Sequence, residues 1–391
     1  MTRRSPAPSV PQVTTQSAPG RGHRSLRRVL AAPVLVVAVA AVGAVAASVA
    51  SGAAAKANVS AARKAVAAYS GHPSAFPVTQ PLRKALAAGT TFVYLQADDP
   101  IAALLGALLK PAVAAIGGTF TVIDAGTTAS DAQAAASSAL ADKPAVVLVP
   151  AFVPSEFGTT LKSLTGAGIK VVGAGMVDAK PYGVQFVVGG GQFEARDGQL
   201  LADWVVANKG AKANAVFYTV PELSFTETAF QSFQTQMRKL CPSCKVRSVP
   251  ISVTTIGATA PQTVVSDLQS NPSTNVAVFS TEDIADGLPA ALSSAGIKVT
   301  TVGASPDPEN LADIKSGGLT AGLATDLGVY TWEMVDAGAR LVLGQKPPSG
   351  LLYAPSEFLG QKDITFNPSL GWTAYPNFAQ RFTALWHPKA K

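Results

Sequence analysis

Three histidines and two cysteines leave little from which to build a catalytic or metal centre. His23, His72 and His387 all fall outside the regular part of the chain. No core imidazole is therefore offered as a general base, and no histidine can join the cysteines in a zinc site. The G-x-S-x-G elbow and the G-x-x-x-x-G-K-[ST] phosphate loop are both missing. Gly189-Gly190-Gly191 runs into Gln192-Phe193 without the dinucleotide spacing. No enzyme, cofactor or bound metal is expected. Paired carboxylates acting alone, as in a glycosidase, are the one catalytic arrangement the composition leaves room for.

Acids are absent as far as Asp98. Arg3, Arg4, Arg21, Arg24, Arg27, Arg28, Lys56, Arg63, Lys64, Arg83 and Lys84 all precede it. Removing those 11 from the 31 bases leaves 20 against 24 acids, a net −4 for the rest of the chain. The overall +7 is thus a property of the head and gives no nucleic-acid signature. A repressor would also need a DNA-binding head.

What the head holds instead is Val29–Ala50, 22 residues without a charge behind an arginine cluster. As a helix this run spans about 33 Å, enough for a bilayer, with the arginines on the cytoplasmic side. Small residues at Ala53-Ala54-Ala55 suit a cleaved signal peptide. The long basic n-region suits an uncleaved anchor, and both readings stay open. No cysteine follows the run to carry a lipid. The chain is expected at the extracytoplasmic face of the cell membrane, anchored by Val29–Ala50 or secreted after cleavage. Residues 1–55 form this basic head and signal or anchor segment. Residues 56–90 read as a basic, Ala-rich spacer with some helix, broken at Gly71-His72-Pro73 and Phe76-Pro77.

From Thr91 the chain alternates between short β-branched runs and helical patterns. Phe92-Val93-Tyr94-Leu95 reads as a buried parallel strand that stops at Gln96-Ala97-Asp98-Asp99-Pro100. Further strands are expected at 119–124, 145–149, 169–172, 184–188, 215–220, 246–253, 276–279, 299–302 and 319–323. Helices are expected at 101–116 (kinked at Pro111), 130–141, 155–165, around 200–204, 226–240, 262–269, 284–295, 308–315 and 330–343. Such alternation implies a parallel sheet with helices on both faces. There are too many strands for one doubly wound unit, and the triple glycine is a natural place to change lobes. Cys241-Pro242-Ser243-Cys244 follows a helix, the wrong end for a thioredoxin-type motif. In an exported chain, Cys241 and Cys244 read as a local structural disulfide.

The order of these elements over about 91–346 resembles the type I periplasmic sugar-binding proteins, the ribose-binding and related substrate-binding proteins of ABC transporters. The local patterns that carry the likeness are Asp98-Asp99-Pro100 after the first strand, Lys143–Leu148 and Ala167–Val172. They continue with Phe279-Ser280-Thr281-Glu282-Asp283, Val302-Gly303, and the ending Gly371-Trp372…Phe378…Phe382…Leu385-Trp386. The resemblance implies an α/β fold of two doubly wound parallel-sheet lobes joined by a three-strand hinge at Gly189–Gly191, Thr325–Leu327 and Lys346–Pro348. Residues 91–189 plus 327–347 would form the N-terminal lobe. Residues 190–326 plus 348–391 would form the C-terminal lobe and tail.

Loops at the carboxyl ends of the strands would line the cleft. The candidate ligand-binding residues are Gln96, Asp98, Asp99, Phe152, Met176, Phe193, Glu222, Phe225, Glu282, Asp283, Ser305 and Asp326. Gln192, Ser224, Asp307 and Thr325 stand nearby. Carboxylates suit a polyol, whose hydroxyls they accept, and equally a cation. Each could instead cap a helix. The family's aromatics after the first-loop proline are replaced by Ile101-Ala102, its Asp-Arg pair by Gly175-Met176, and its later Asp by Ser305. The pocket is therefore expected to be less polar and less cationic than a pentose site. The resemblance implies a monomeric receptor that captures a sugar or related small polar molecule and delivers it to an ABC permease. The alternative is a membrane-anchored sensor or interaction module of the same fold.

Overall fold

In the computed structural model, residues 56–73, 75–349 and 354–387 are described. The membrane-segment reading of Val29–Ala50 falls outside them. No helix among the described residues is long and apolar enough to cross a membrane.

The first lobe is a five-stranded parallel sheet of β1 (Thr91–Ala97), β2 (Thr119–Gly126), β3 (Val146–Val149), β4 (Lys170–Ala174) and β5 (Phe186–Val188), in the order β2-β1-β3-β4-β5. Helices α2 (Pro100–Ala115), α3 (Ala129–Asp142) and α4 (Thr160–Gly166) connect these strands. Phe92, Tyr94, Val146 and Leu148 are wholly buried, as strands covered on both faces require. Helix α2 runs through Pro111 without a break.

The second lobe repeats the plan. It is built from β6 (Asn214–Thr219), β7 (Lys245–Pro250), β8 (Val276–Phe279), β9 (Thr300–Ala304), β10 (Ala321–Thr325) and β11 (Ser356–Gly360), in the order β11-β10-β9-β8-β6-β7. From β7 to β10 this is the same doubly wound order, with β11 added antiparallel on the edge. Its helices are α5 (Gly191–Lys209), α6 (Thr226–Leu240), α7 (Ala260–Ser270), α8 (Leu288–Ala295) and α9 (Pro308–Ser316). In α5, Gly198 permits close packing, since a Cβ there would lie 2.1 Å from the carbonyl oxygen of Ala229 in α6.

The chain crosses between lobes at Gly189–Gly191 and again where β10 passes into α10 (Leu327–Val342), which packs against α2, β3, β4 and β5. Gly189 has φ +58, and a Cβ there would strike the ring of Tyr330 at 2.6 Å. The third crossing carries α10 back to β11. Cys241 and Cys244 are bonded across the turn after α6, their Cα atoms 5.4 Å apart.

Several sequence expectations need correction. The helix expected at 155–165 is a 3-10 turn, Pro154–Phe157, and then α4, divided at Gly158 with φ +54. That expected at 284–295 divides likewise at Gly287, φ +73, with Leu288-Pro289 opening α8. Residues 56–90 are no free spacer. Helix α1 (Val59–Ala67) packs on α5 and α6, and Val78, Leu82 and Leu86 are buried in the core. The tail, expected with the second lobe, places its helix α11 (Phe378–Trp386) on α10. There Trp386 stacks on Trp332 with ring centroids 5.0 Å apart.

Candidate functional site

The strand order in each sheet reverses beside its first strand, between β1 and β3 and between β6 and β8. Loops leaving those strands diverge and open a crevice at the carboxyl edge. The two crevices face each other across a cavity of about 90 Å³. The first lobe contributes Asp99, Ile101, Leu105, Phe152 and Gly175, and the second contributes Phe193, Glu194, Phe225, Ser280, Thr281, Ser305 and Thr325, with Tyr330 at the start of α10.

The rims are closed. Ser224 donates its N–H to the carbonyl of Ala151 at 2.9 Å, and its Oγ accepts from the N–H of Val177 at 3.2 Å. Phe152 pairs with Leu223 in an antiparallel bridge, and Gly257 lies against Pro100.

Five of the twelve candidates reach the wall: Asp99, Phe152, Phe193, Phe225 and Ser305. Asp99 does two things at once, because it also caps α2 by accepting the N–H of Ala102 at 2.7 Å. Ser305 holds a left-handed conformation, φ 56, and donates its hydroxyl to Thr325 at 2.9 Å.

The other seven do not line the cavity, for local reasons. Gln96 lies against Gly106 in α2, and Asp98 is exposed. Met176 is buried against Gly173, and Glu222 accepts from the hydroxyl of Ser252 at 2.8 Å. Glu282 is wholly buried over Gly303 and Gly322 inside the second lobe. Asp283 accepts the Thr281 hydroxyl at 2.7 Å. Asp326 is consumed by capping α10, accepting from Val329 at 3.0 Å and from Thr373 and Ala374 of the tail. Asp307 caps α9 in a capping box.

Glu194 and Tyr330 were not singled out from the sequence. Each sits in the first turn of a helix that begins immediately after a crossing, which is the signal that could have found them. Tyr330 donates its hydroxyl to the carbonyl of Val188 at 3.1 Å.

Burial dominates the electrostatics. It raises the carboxyl of Asp99, with repulsion from Asp98 adding to it and hydrogen bonds from Ala102 and Ile101 opposing. It raises Glu194 well above the usual range, aided by Asp197 and opposed by Arg196. It pushes Asp283 up to about 7, with the Thr281 hydrogen bond opposing and Asp99 across the cleft adding to the rise. Among the described residues, no lysine, arginine or histidine lines the cavity. The wall is mostly aromatic and aliphatic, with carboxylates and hydroxyls at a few points.

A family model described as a periplasmic binding protein domain matches residues 82–346. No curated protein sequence matches the chain. Among solved structures, the fold is similar to a carbohydrate transporter from Acidothermus cellulolyticus in complex with myo-inositol. That likeness has TM-score 0.62 and 16% identity, covering 75% of this chain and 99% of that one. A 5-methylthioribose transporter solute-binding protein from Thermotoga lettingae matches at TM-score 0.64 and 16% identity, covering 78% and 99%. A putative LacI transcriptional regulator from Bacteroides fragilis matches at TM-score 0.61 and 13% identity, covering 71% and 98%.

Proposed function

We propose that this chain, which belongs to the periplasmic binding protein domain family, is an exported receptor that captures a small solute between its lobes and hands it to an ABC permease. The observation that carries the reading is the cavity itself, walled by strand-end loops from both sheets, with the lobes in contact at its rims. Capture by closure needs that arrangement, because contacts made only in the closed form supply the differential affinity that shifts the equilibrium. The wall offers hydrogen-bonding groups on a largely apolar surface, which suits the binding of a small solute. The Cys241–Cys244 pair is consistent with an oxidising compartment outside the cytoplasm. The solved relative described as a regulator has the same fold, so transport rests on family membership and capture on the geometry.

A thermal-shift screen of the full-length chain against pentoses, hexoses, polyols, amines and small aromatics tests the reading. A ligand at 100 times its dissociation constant stabilises by about 2.7 kcal/mol, a rise of a few degrees for a chain this size. One responding class supports a receptor. Silence across the panel, together with scattering profiles that never change, defeats it.

A further inference from the structure

The wall of the interlobe cavity is unbalanced in charge. Asp99 from the first lobe is 8% exposed and Glu194 from the second is 7% exposed, and both line it. Asp283, 1% exposed, lies close enough to Asp99 for their charges to interact, and its Oδ2 has no hydrogen-bond partner among the described residues. Arg196, the cation that acts on Glu194, is bound to Asp197 through hydrogen bonds of 3.0 and 2.9 Å and lies over the Phe193 ring. With Arg196 bound to Asp197, burial keeps the Glu194 carboxyl raised, and a cation entering the cavity would favour its charged form. Glu194 lines the cavity, and none of the hydrogen bonds found among the described residues involves its carboxylate.

The hydroxyl protons of Tyr330 and Ser305 are already given, to Val188 and Thr325. The hydroxyls of Ser280 and Thr325 can still donate or accept, and the carboxylates of Asp99 and Glu194 add acceptors that suit a ligand bringing N–H donors. Size narrows the choice further. The space between the lobes is about 90 Å³, less than the roughly 150 Å³ of an apolar protein cavity that holds benzene, so a compact ligand is received with the least opening of the lobes.

We infer that the cleft receives a compact organic cation, a branched alkylammonium of C4 size or smaller. Its charge is balanced by Asp99 and Glu194, and its carbon body lies against Phe152, Phe225 and Leu105. Aromatic faces add to the attraction of such a cation. The inference rests on the receptor reading above and deepens it by naming the ligand class.

The test compares isobutylammonium with isobutanol, which matches its shape without the charge, and with D-ribose and myo-inositol. The full-length chain is followed by melting temperature, titration calorimetry and small-angle scattering. Isobutylammonium is expected to raise the melting temperature by several degrees and to bind at least tenfold more tightly than isobutanol. Glu194→Gln and Asp99→Asn should each weaken it about tenfold or more. Asparagine caps a helix as well as aspartate, so Asp99→Asn keeps α2 intact. Equal affinity for isobutanol, or undiminished amine binding in the double variant, overturns the inference. Stabilisation by D-ribose or myo-inositol with no response to the amine overturns the cation class and leaves the receptor standing. No change in melting or scattering with any of the four overturns the cation class and counts against the receptor as well.

Discussion

Glu282 is wholly buried against Gly303 and Gly322, and neither of its carboxyl oxygens meets a hydrogen-bond partner among the described residues. Burial holds its carboxyl well above the usual range, and repulsion from Asp307, Asp286 and Asp283 adds to the effect. Asp283 is pushed up to about 7 and Asp286 to about 8, both chiefly by burial. A carboxyl raised in the folded state makes the folded chain bind more protons than the unfolded one, so stability falls as pH rises. For Asp283 and Asp286 this contribution is complete below about pH 4 and is lost up to about pH 8. The urea midpoint should therefore be higher at pH 5 than at pH 8. Glu282→Gln and Asp283→Asn should flatten the difference, and an unchanged slope in both variants would sink this account. Residues of this kind also mark how far the site was legible. The loop holding Glu282 and Asp283 was readable because an apolar strand visibly stops there. Whether a carboxylate at a strand end turns into the cleft or into its own lobe depends on φ and ψ over one or two residues, which no spacing encodes. Asp99 faces the cleft while capping a helix, and Asp326, at the equivalent kind of position, was taken by the tail.

At the scale of elements, the strands were the readable part. A parallel strand buried on both faces must be apolar along its length, so β1, β3 and β8 stand out from the chain around them. Strand β11 (Ser356–Gly360) was missed because its residues Ser356 and Glu357 are polar and it pairs only on the sheet's edge. The stretch 56–90 reads as a spacer because an Ala-rich, basic composition hides how regularly Val78, Leu82 and Leu86 turn inward. Leu82 is 1% exposed, and its backbone N–H donates to the carbonyl of Leu385 in α11 at 2.9 Å. Leu82→Ala should cost about 3 kcal/mol, in the range measured for buried leucines. Leu370→Ala, at a side chain 83% exposed, should move stability by less than about 0.5 kcal/mol. Equal effects in chemical denaturation would return 56–90 to the status of a spacer.

For the whole molecule, closure is held by few polar contacts, and Ser224 makes several of them across the rim. Ser224→Ala keeps the backbone bond to Ala151 and deletes the Oγ links to Val177 and Gly175. The population should shift toward an open form, read as a larger radius of gyration in scattering and a weaker apparent ligand affinity. An unchanged radius would show that the apolar contacts alone keep the rims together. The two-lobed plan was legible from strand count and the triple glycine, whereas the degree of closure was not, since it depends on contacts between residues far apart in sequence.

Besides the three crossings, the chain before Thr91 makes its own passage over both lobes. Helix α1 lies on α5 and α6, and the carbonyl of Tyr69 takes the N–H of Phe358 in β11 at 2.7 Å. Further along, Tyr375 in the tail donates its hydroxyl to the carbonyl of Ala75, and Arg340 in α10 donates to that of Gln80 at 2.5 Å. The consequence is mechanical. Tension applied at residue 56 loads the second lobe first, through α1, and reaches the first lobe only after the strap has peeled from β11, so under force the molecule would yield in two steps from its N-terminal side.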